Sequence, residues 1–202
     1  MSALTDEIAQ AAARLVVDEG MDYPGAKRRA AADLARHGVG RAELPSNELV
    51  EDAVREHLAL FHADTQPQEL RALRRHALTW LERLAEFRPH LGGAVWRGTA
   101  TRLSPIVIDL YADDPKAPEI SLLNRGIDYD SAGDEDAQVL SLADRCPGLA
   151  APGPRPDDWI TVHLVVHDHD GLRGALKPDC RGQSWRGDVR ALRARLAQEP
   201  DA

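Results

Sequence analysis

Apolar side chains recur at intervals of three and four residues through the first 88 residues, which predicts amphipathic helices. The clearest run follows Pro67, where six apolar residues ending at Phe87 fall on one helical stripe. Residues that favour helix starts and stops separate the runs, with Ser46 placed to cap a third helix and Gly20 to end the first. We therefore predict four helices in this part of the chain.

The pattern changes after Pro89, where glycines and β-branched residues become frequent and short apolar runs replace the helical stripe. Such runs, bounded by turn residues, are typical of strands. The predicted strands are Ile106 to Tyr111, Ile127 to Asp130, Gln138 to Leu142 and Trp159 to His167. The predicted helices are a short one from Asp114 to Leu123 and a closing one from Asp188 to Gln198. The expected fold is α+β, with a helical N-terminal part (1–88) followed by a small mixed-sheet α/β domain with a C-terminal helix (89–202).

Composition narrows the function classes without selecting one. Of the 202 residues, 43% are hydrophobic and 29% are charged, as in soluble globular proteins. The 25 basic and 33 acidic residues give a net charge of -8, which argues against nucleic-acid binding by the whole surface but leaves a local basic groove open. No apolar run reaches the length of about 18 residues that a membrane span needs.

The N-terminal residues and the spacing of the cysteines bear on where the protein is located. The first residues lack the basic start and apolar stretch of a signal peptide. Cys146 and Cys180 are isolated, so neither a zinc ribbon nor a disulfide scaffold is indicated. We therefore expect a cytoplasmic protein.

The most informative stretch combines the letters GAVWRG at 93–98 with SPIVIDL at 104–110. It resembles the signature of the nucleotidyltransferase fold superfamily (the DNA polymerase β-like group), in which Gly-Ser, three residues and Gly precede Ser-Asp-x-Asp-Leu on a strand. In that pattern glycines let backbone N–H groups approach a triphosphate. Two aspartates on one face of the strand hold the magnesium ions of phosphoryl transfer.

Laid on this signature, Gly93 and Gly98 match the two glycines and Ser104 matches the serine. The resemblance therefore implies phosphate-binding roles for these three residues, and Arg97 could contact phosphate oxygens with two nitrogens. The positions of the two metal-binding aspartates, however, hold Pro105 and Val107. Neither side chain can bind a metal. The glycines and the serine of the signature are therefore present, whereas its two metal-binding carboxylates are absent.

Nearby carboxylates could replace the two missing metal ligands. Asp109 lies two residues further along the same strand, Asp113 lies beyond its end, and Asp128 is the nearest counterpart of the family's third carboxylate. We expect a degenerate nucleotidyltransferase-like protein that binds a nucleoside triphosphate or has a regulatory role. Its nucleotidyl transfer is expected to be weak or absent. The alternative is an active magnesium-dependent enzyme in which Asp109, Asp113 and Asp128 are catalytic and Asp109 and Asp128 bind the metal.

Two further hypotheses stay open. His163, His167 and His169 share a face if their strand continues, which would suit a metal site, although a strand ending in a polar turn is the simpler interpretation. A non-enzymatic adaptor, binding a protein partner through its helical part, competes with any nucleotide function.

The chain is also similar to short bacterial proteins, some labelled muramate–alanine ligases, but it has no Gly-Lys pair for the phosphate loop of such ligases.

Overall fold

The structure is a computed structural model that describes residues 3–36, 43–133, 138–149, 158–179 and 181–199. These residues form eight α-helices and a five-stranded mixed sheet, which confirms the α+β class. The helices are α1 (Ala3–Glu19), α2 (Tyr23–Arg36), α3 (Asn47–Phe61), α4 (Gln66–Arg83), α5 (Gly93–Arg97), α6 (Ala117–Asn124), α7 (Leu172–Ala175) and α8 (Val189–Gln198). The strands are β1 (His90–Gly92), β2 (Ile106–Ala112), β3 (Asp130–Gly133), β4 (Gln138–Arg145) and β5 (Trp159–Asp168).

The described residues fall into two compact units. The first, the helical unit, comprises the chain up to Pro67 together with Thr99–Leu103. The second, the sheet unit, comprises Gln68–Gly98 and the chain from Ser104 onward. From Gln68 on, α4 therefore belongs to the same unit as the sheet, whereas the apolar pattern places it in the helical part.

The first unit is built around α1, which packs against α2 and α3. Ser46 caps α3 as predicted, because its hydroxyl accepts a hydrogen bond from the backbone N–H of Leu49 at 3.2 Å. Gly20, at φ +69°, follows the end of α1. Small and branched apolar side chains fill the core between the three helices, including Ala12, Ala26, Val50 and Val54.

Two predicted boundaries are wrong, for local reasons. The apolar stripe of α4 continues to Phe87, yet the helix ends at Arg83 and a 3-10 turn follows at Ala85–Phe87. Arg88, at φ +47°, precedes Pro89, and a residue before proline is disfavoured in a helix. The strand predicted over Ile127 to Asp130 begins only at Asp130, because the Ile127 N–H bonds to the Leu122 carbonyl and closes α6 instead.

The sheet has the order β1-β2-β5-β4-β3. Only β2 and β5 are parallel, and the other neighbours are antiparallel. The three-residue strand β1 is missing from the sequence prediction because it is too short to show alternation.

The two faces of the sheet differ in chemistry. One face is an apolar core built from the even-numbered residues of β2, β4 and β5, such as Ile108, Leu140 and Leu164, which are fully buried. The opposite face carries the odd-numbered residues, which on β4 and β5 are half-buried or exposed. We call this second surface the half-open face, and it carries Asp109.

No helix within the described ranges is both long and apolar enough to cross a membrane.

Candidate functional site

The candidate site lies on the half-open face at the centre of the sheet, where β1, β2 and β5 run side by side. Strand register pairs His90 with Asp109 and Tyr111 with His167, so these four side chains share that face. Each of them interacts directly with a neighbour in the group, as described below.

Asp109 is a buried carboxylate with two cationic or polar partners. Its Oδ1 lies 2.6 Å from Nε2 of His167, and its Oδ2 accepts a hydrogen bond from Nε of Arg186 at 2.6 Å. A second guanidinium nitrogen, Nη2, lies 3.4 Å from Oδ1. Burial acts to raise the pKa of Asp109, but the hydrogen bonds from His167 and Arg186 outweigh it and hold the pKa below its ordinary value. The group is therefore ionised, and His167 must present a proton at Nε2.

Tyr111 lies between two imidazole rings on the same face. Its ring stacks on His167 with centroids 5.3 Å apart and meets His90 edge to face at 5.6 Å. The hydroxyl is buried and has no hydrogen-bond partner among the described residues. Burial, reinforced by the charge of Asp109, raises the pKa of Tyr111 to about 12. A buried hydroxyl without a partner is costly to folding.

Arg186 reaches Asp109 because its loop is tied to the edge of the sheet. The neighbouring Gly187 exchanges two backbone hydrogen bonds with Leu91 of β1, at 2.8 and 3.0 Å. A side chain at Gly187 would collide with the Trp96 ring, since an added Cβ would lie 2.0 Å from it. Gly92 likewise leaves room for the ion pair, because a Cβ there would lie 3.2 Å from Oδ2 of Asp109.

A second polar pair lies further along the half-open face. Nδ1 of His163 lies 2.9 Å from the hydroxyl of Ser141, its register partner on β4. Burial lowers the pKa of His163, so its neutral form is favoured. His163 therefore pairs with Ser141, while it is His167 that contacts Asp109.

The predicted phosphate-binding residues have structural roles in the fold. Gly93 and Gly98 adopt φ of +61° and +84°, and Gly98 ends α5 in the left-handed region that favours glycine. The buried Arg97 lies 3.0 Å from a carboxylate oxygen of Asp179, with its guanidinium 4.5 Å from the ring centroid of Trp185.

Arg97 therefore belongs to the packing of the loop that carries Arg186. Ser104 lies in the turn before β2 and is half-buried.

The structure does not bring the three predicted catalytic carboxylates together. Asp113 is exposed beyond the end of β2, about 13 Å along the strand direction from Asp109. Asp128 is exposed before β3, and β4 and β5 separate that strand from β2, a distance of about 14 Å between strands.

The donor set around Asp109 does not fit the magnesium ion that the resemblance implies. Magnesium needs oxygen ligands in octahedral geometry, whereas both oxygens of Asp109 are occupied by Arg186 and His167. Among the described residues, the group of three side chains close enough to share an ion lies elsewhere, in the helical unit.

The three predicted histidines do not converge either. His169 lies in a 3-10 turn after β5, with Nδ1 3.8 Å from a carboxylate oxygen of Asp113. His163 and His167 have separate partners on different strands.

Sequence reasoning missed Arg186, Tyr111 and His90. Arg186 is 77 residues from Asp109, and no local spacing announces such a pair. The alternation along β2 could have found Tyr111, because it places this side chain on the same face as Asp109.

Comparison of the chain with protein-family models, with curated proteins and with solved structures finds no match in any of the three.

Proposed function

We propose that this chain is a nucleotidyltransferase-like binding protein that takes a nucleotide on the half-open face without a metal ion and transfers no nucleotidyl group. The observation that carries the proposal is the pairing of Asp109 with Arg186 and His167. It puts organic cationic or proton-donating groups on the carboxylate that a metal would otherwise need. A cytoplasmic location stays part of the proposal.

Electrostatics supports the loss of the metal. A divalent ion at Asp109 would have to displace the Arg186 guanidinium, which is only partly exposed, and leave that charge without its partner. The ion would gain one carboxylate, since the family's paired positions hold Pro105 and Val107. Two-metal transfer needs ions about 3.5–4 Å apart held by shared carboxylates, and the described residues of this face supply no such set.

The same face offers groups that suit a phosphate or sugar ligand. Nδ1 of His167 has no hydrogen-bond partner among the described residues, and the ring is partly exposed. The Tyr111 ring stacks on this imidazole and supports it. Ser141 and His163 extend the polar strip across the next strand. Together these groups present hydrogen-bond donors and acceptors without requiring a bound cation.

The test is calorimetric titration of the protein with ATP, CTP, GTP and UTP, each in magnesium and each in EDTA. We expect at least one nucleotide to bind, with the same affinity in both buffers and no release of pyrophosphate. Asp109→Asn and His163→Ala should weaken binding, whereas the exposed Asp113→Asn should leave it unchanged. The His163 variant keeps the test valid if Asp109→Asn folds poorly.

Two results would overturn the proposal. Absence of binding to all four nucleotides would remove the nucleotide function and favour the adaptor hypothesis. Binding or pyrophosphate release that requires magnesium, and that is lost in Asp113→Asn or Asp128→Asn, would favour the displaced-carboxylate enzyme.

A further inference from the structure

Three side chains of types that can bind a metal ion converge in the helical unit, away in sequence from the residues of the sheet site. Asp18 lies near the end of α1, His57 lies in α3, and His62 follows the last turn of α3. One carboxylate oxygen and one imidazole nitrogen from each histidine all lie within 4.8 Å of one another.

Helix packing fixes the approach of these residues. α1 and α3 pack along their lengths, and the side chain of Gln10 donates a hydrogen bond of 2.9 Å to Glu56 across the pair. His62 leaves helical geometry at φ -130° and ψ 17°, while its N–H still bonds to the Leu58 carbonyl. This bend lets a residue five positions after His57 place its ring near that of His57, with centroids 5.8 Å apart.

The distances suit an ion better than they suit hydrogen bonds. Nε2 of His57 and Nε2 of His62 each lie 3.8 Å from Oδ1 of Asp18, which is too long for a hydrogen bond. Two ligands held about 2.0–2.1 Å from a tetrahedral zinc ion are about 3.4 Å apart. Each histidine nitrogen would have to move about 0.4 Å closer to the Asp18 oxygen, and the two histidine nitrogens would have to approach each other by up to about 1.4 Å, which side-chain rotation can supply.

The three side chains differ in burial, and the two more exposed ones leave the site open to solvent. His57 is 12% exposed and its ring contacts Phe61 at 4.7 Å, which holds it in place. His62 and Asp18 are more open, at 34% and 53%. Neither imidazole has a hydrogen-bond partner among the described residues, apart from the long approach to Asp18.

We propose that Asp18, His57 and His62 form a binding site for a divalent transition metal of the zinc class, with the remaining coordination position open to water. Two imidazole nitrogens and one carboxylate favour such ions over magnesium and calcium, which take oxygen ligands. The ion would tie α1 to α3 and stabilise the helical unit. This site is independent of the proposed nucleotide function.

The experiment uses full-length protein without a histidine tag, titrated with Zn²⁺ by calorimetry and with Co²⁺ by visible absorption. We expect one ion per chain and a d–d spectrum of nitrogen and oxygen ligation, without the intense near-ultraviolet band of thiolate ligation. The buried thiol of Cys146 competes poorly, because burial raises its pKa to about 11. Zn²⁺, and not Mg²⁺, should raise the melting temperature.

Variants assign the ligands. His57→Gln, His62→Gln and Asp18→Asn should each weaken Zn²⁺ binding by about a factor of ten or more. Asp33→Asn, a partly exposed carboxylate of α2, and His169→Gln, a partly exposed imidazole of the sheet unit, are the matched controls and should bind as wild type. Helical circular dichroism confirms that each variant is folded.

Failure of the wild-type protein to bind Zn²⁺ or Co²⁺ in large excess would overturn the proposal. So would binding that survives in the His57→Gln, His62→Gln double variant, or a cobalt spectrum dominated by thiolate ligation.

Discussion

Arg186 binds the Asp109 carboxylate with two nitrogens, Nε at 2.6 Å from Oδ2 and Nη2 at 3.4 Å from Oδ1. The carboxylate is almost completely buried, whereas the guanidinium is about one quarter exposed. Removing one partner of such a pair leaves a buried charge poorly compensated, which costs far more than the pair itself contributes. The ion pair therefore makes the candidate site and the stability of the sheet unit depend on the same contact.

Arg186→Gln should lower the free energy of unfolding by about 2 kcal/mol or more, because the Asp109 charge then relies on His167 alone. Arg193→Gln is the matched control, since Arg193 pairs with Glu82 at 2.6 Å on an exposed surface. That loss should stay below about 1 kcal/mol. Urea unfolding followed by tryptophan fluorescence measures both. Equal losses in the two variants would contradict a stabilising role for the buried pair.

Acid should weaken the fold through Asp109. Its pKa is lower in the folded chain than its ordinary value of about 3.9, so its contribution is complete above that pH and is lost as the pH falls further. The stability difference between wild type and Asp109→Asn should therefore shrink toward acid. Urea unfolding at a series of pH values gives this difference, with Asp113→Asn as the matched loss of one exposed charge. A difference independent of pH would refute the linkage.

Tyr111→Phe should leave stability unchanged or raise it by up to about 1 kcal/mol, because it removes a buried hydroxyl that has no described partner. Tyr129→Phe should do the opposite, since its hydroxyl donates a hydrogen bond of 2.9 Å to Glu119. Thermal and urea unfolding distinguish the two signs. A clear loss of stability in Tyr111→Phe would mean that its hydroxyl is already satisfied.

Gly187→Ala should destabilise the protein by about 2 kcal/mol, because the new methyl group overlaps the Trp96 ring. Gly174→Ala in α7 meets no atom of the described residues within 4 Å and should be neutral or slightly stabilising. If the clash is the cause, combining Gly187→Ala with Trp96→Leu should cost less than the sum of the two single changes. Additive losses in that double-mutant cycle would contradict the close contact.

Local sequence signals were sufficient to predict the helices and strands that do not depend on distant residues. The cap residue Ser46 and the apolar stripe after it predicted α3, and the β-branched run predicted β5 almost to the residue. The strand predicted at Ile127 was misplaced because a backbone hydrogen bond to Leu122 extends the end of α6, and hydropathy does not reveal such a bond.

The candidate site was predictable only in part. The glycine pattern drew attention to Asp109 and its strand, but the partners of that carboxylate come from β5 and from a loop far along the chain. Strand order decides which side chains become neighbours, and the order β1-β2-β5-β4-β3 separates Asp109 from Asp128. The cluster of Asp18, His57 and His62 escaped notice because it depends on how two helices pack.

The separation of 77 residues between Asp109 and Arg186 also has a consequence for biosynthesis. At roughly 5–20 residues per second, a ribosome needs about 4–15 s to synthesise the chain between them. Through that interval the carboxylate must remain in water or be buried without its guanidinium, so the central strand cannot settle into its final environment early. Completion of the sheet unit therefore waits until Arg186 has been synthesised, and a chain halted before Arg186 would carry the Asp109 charge without its guanidinium partner.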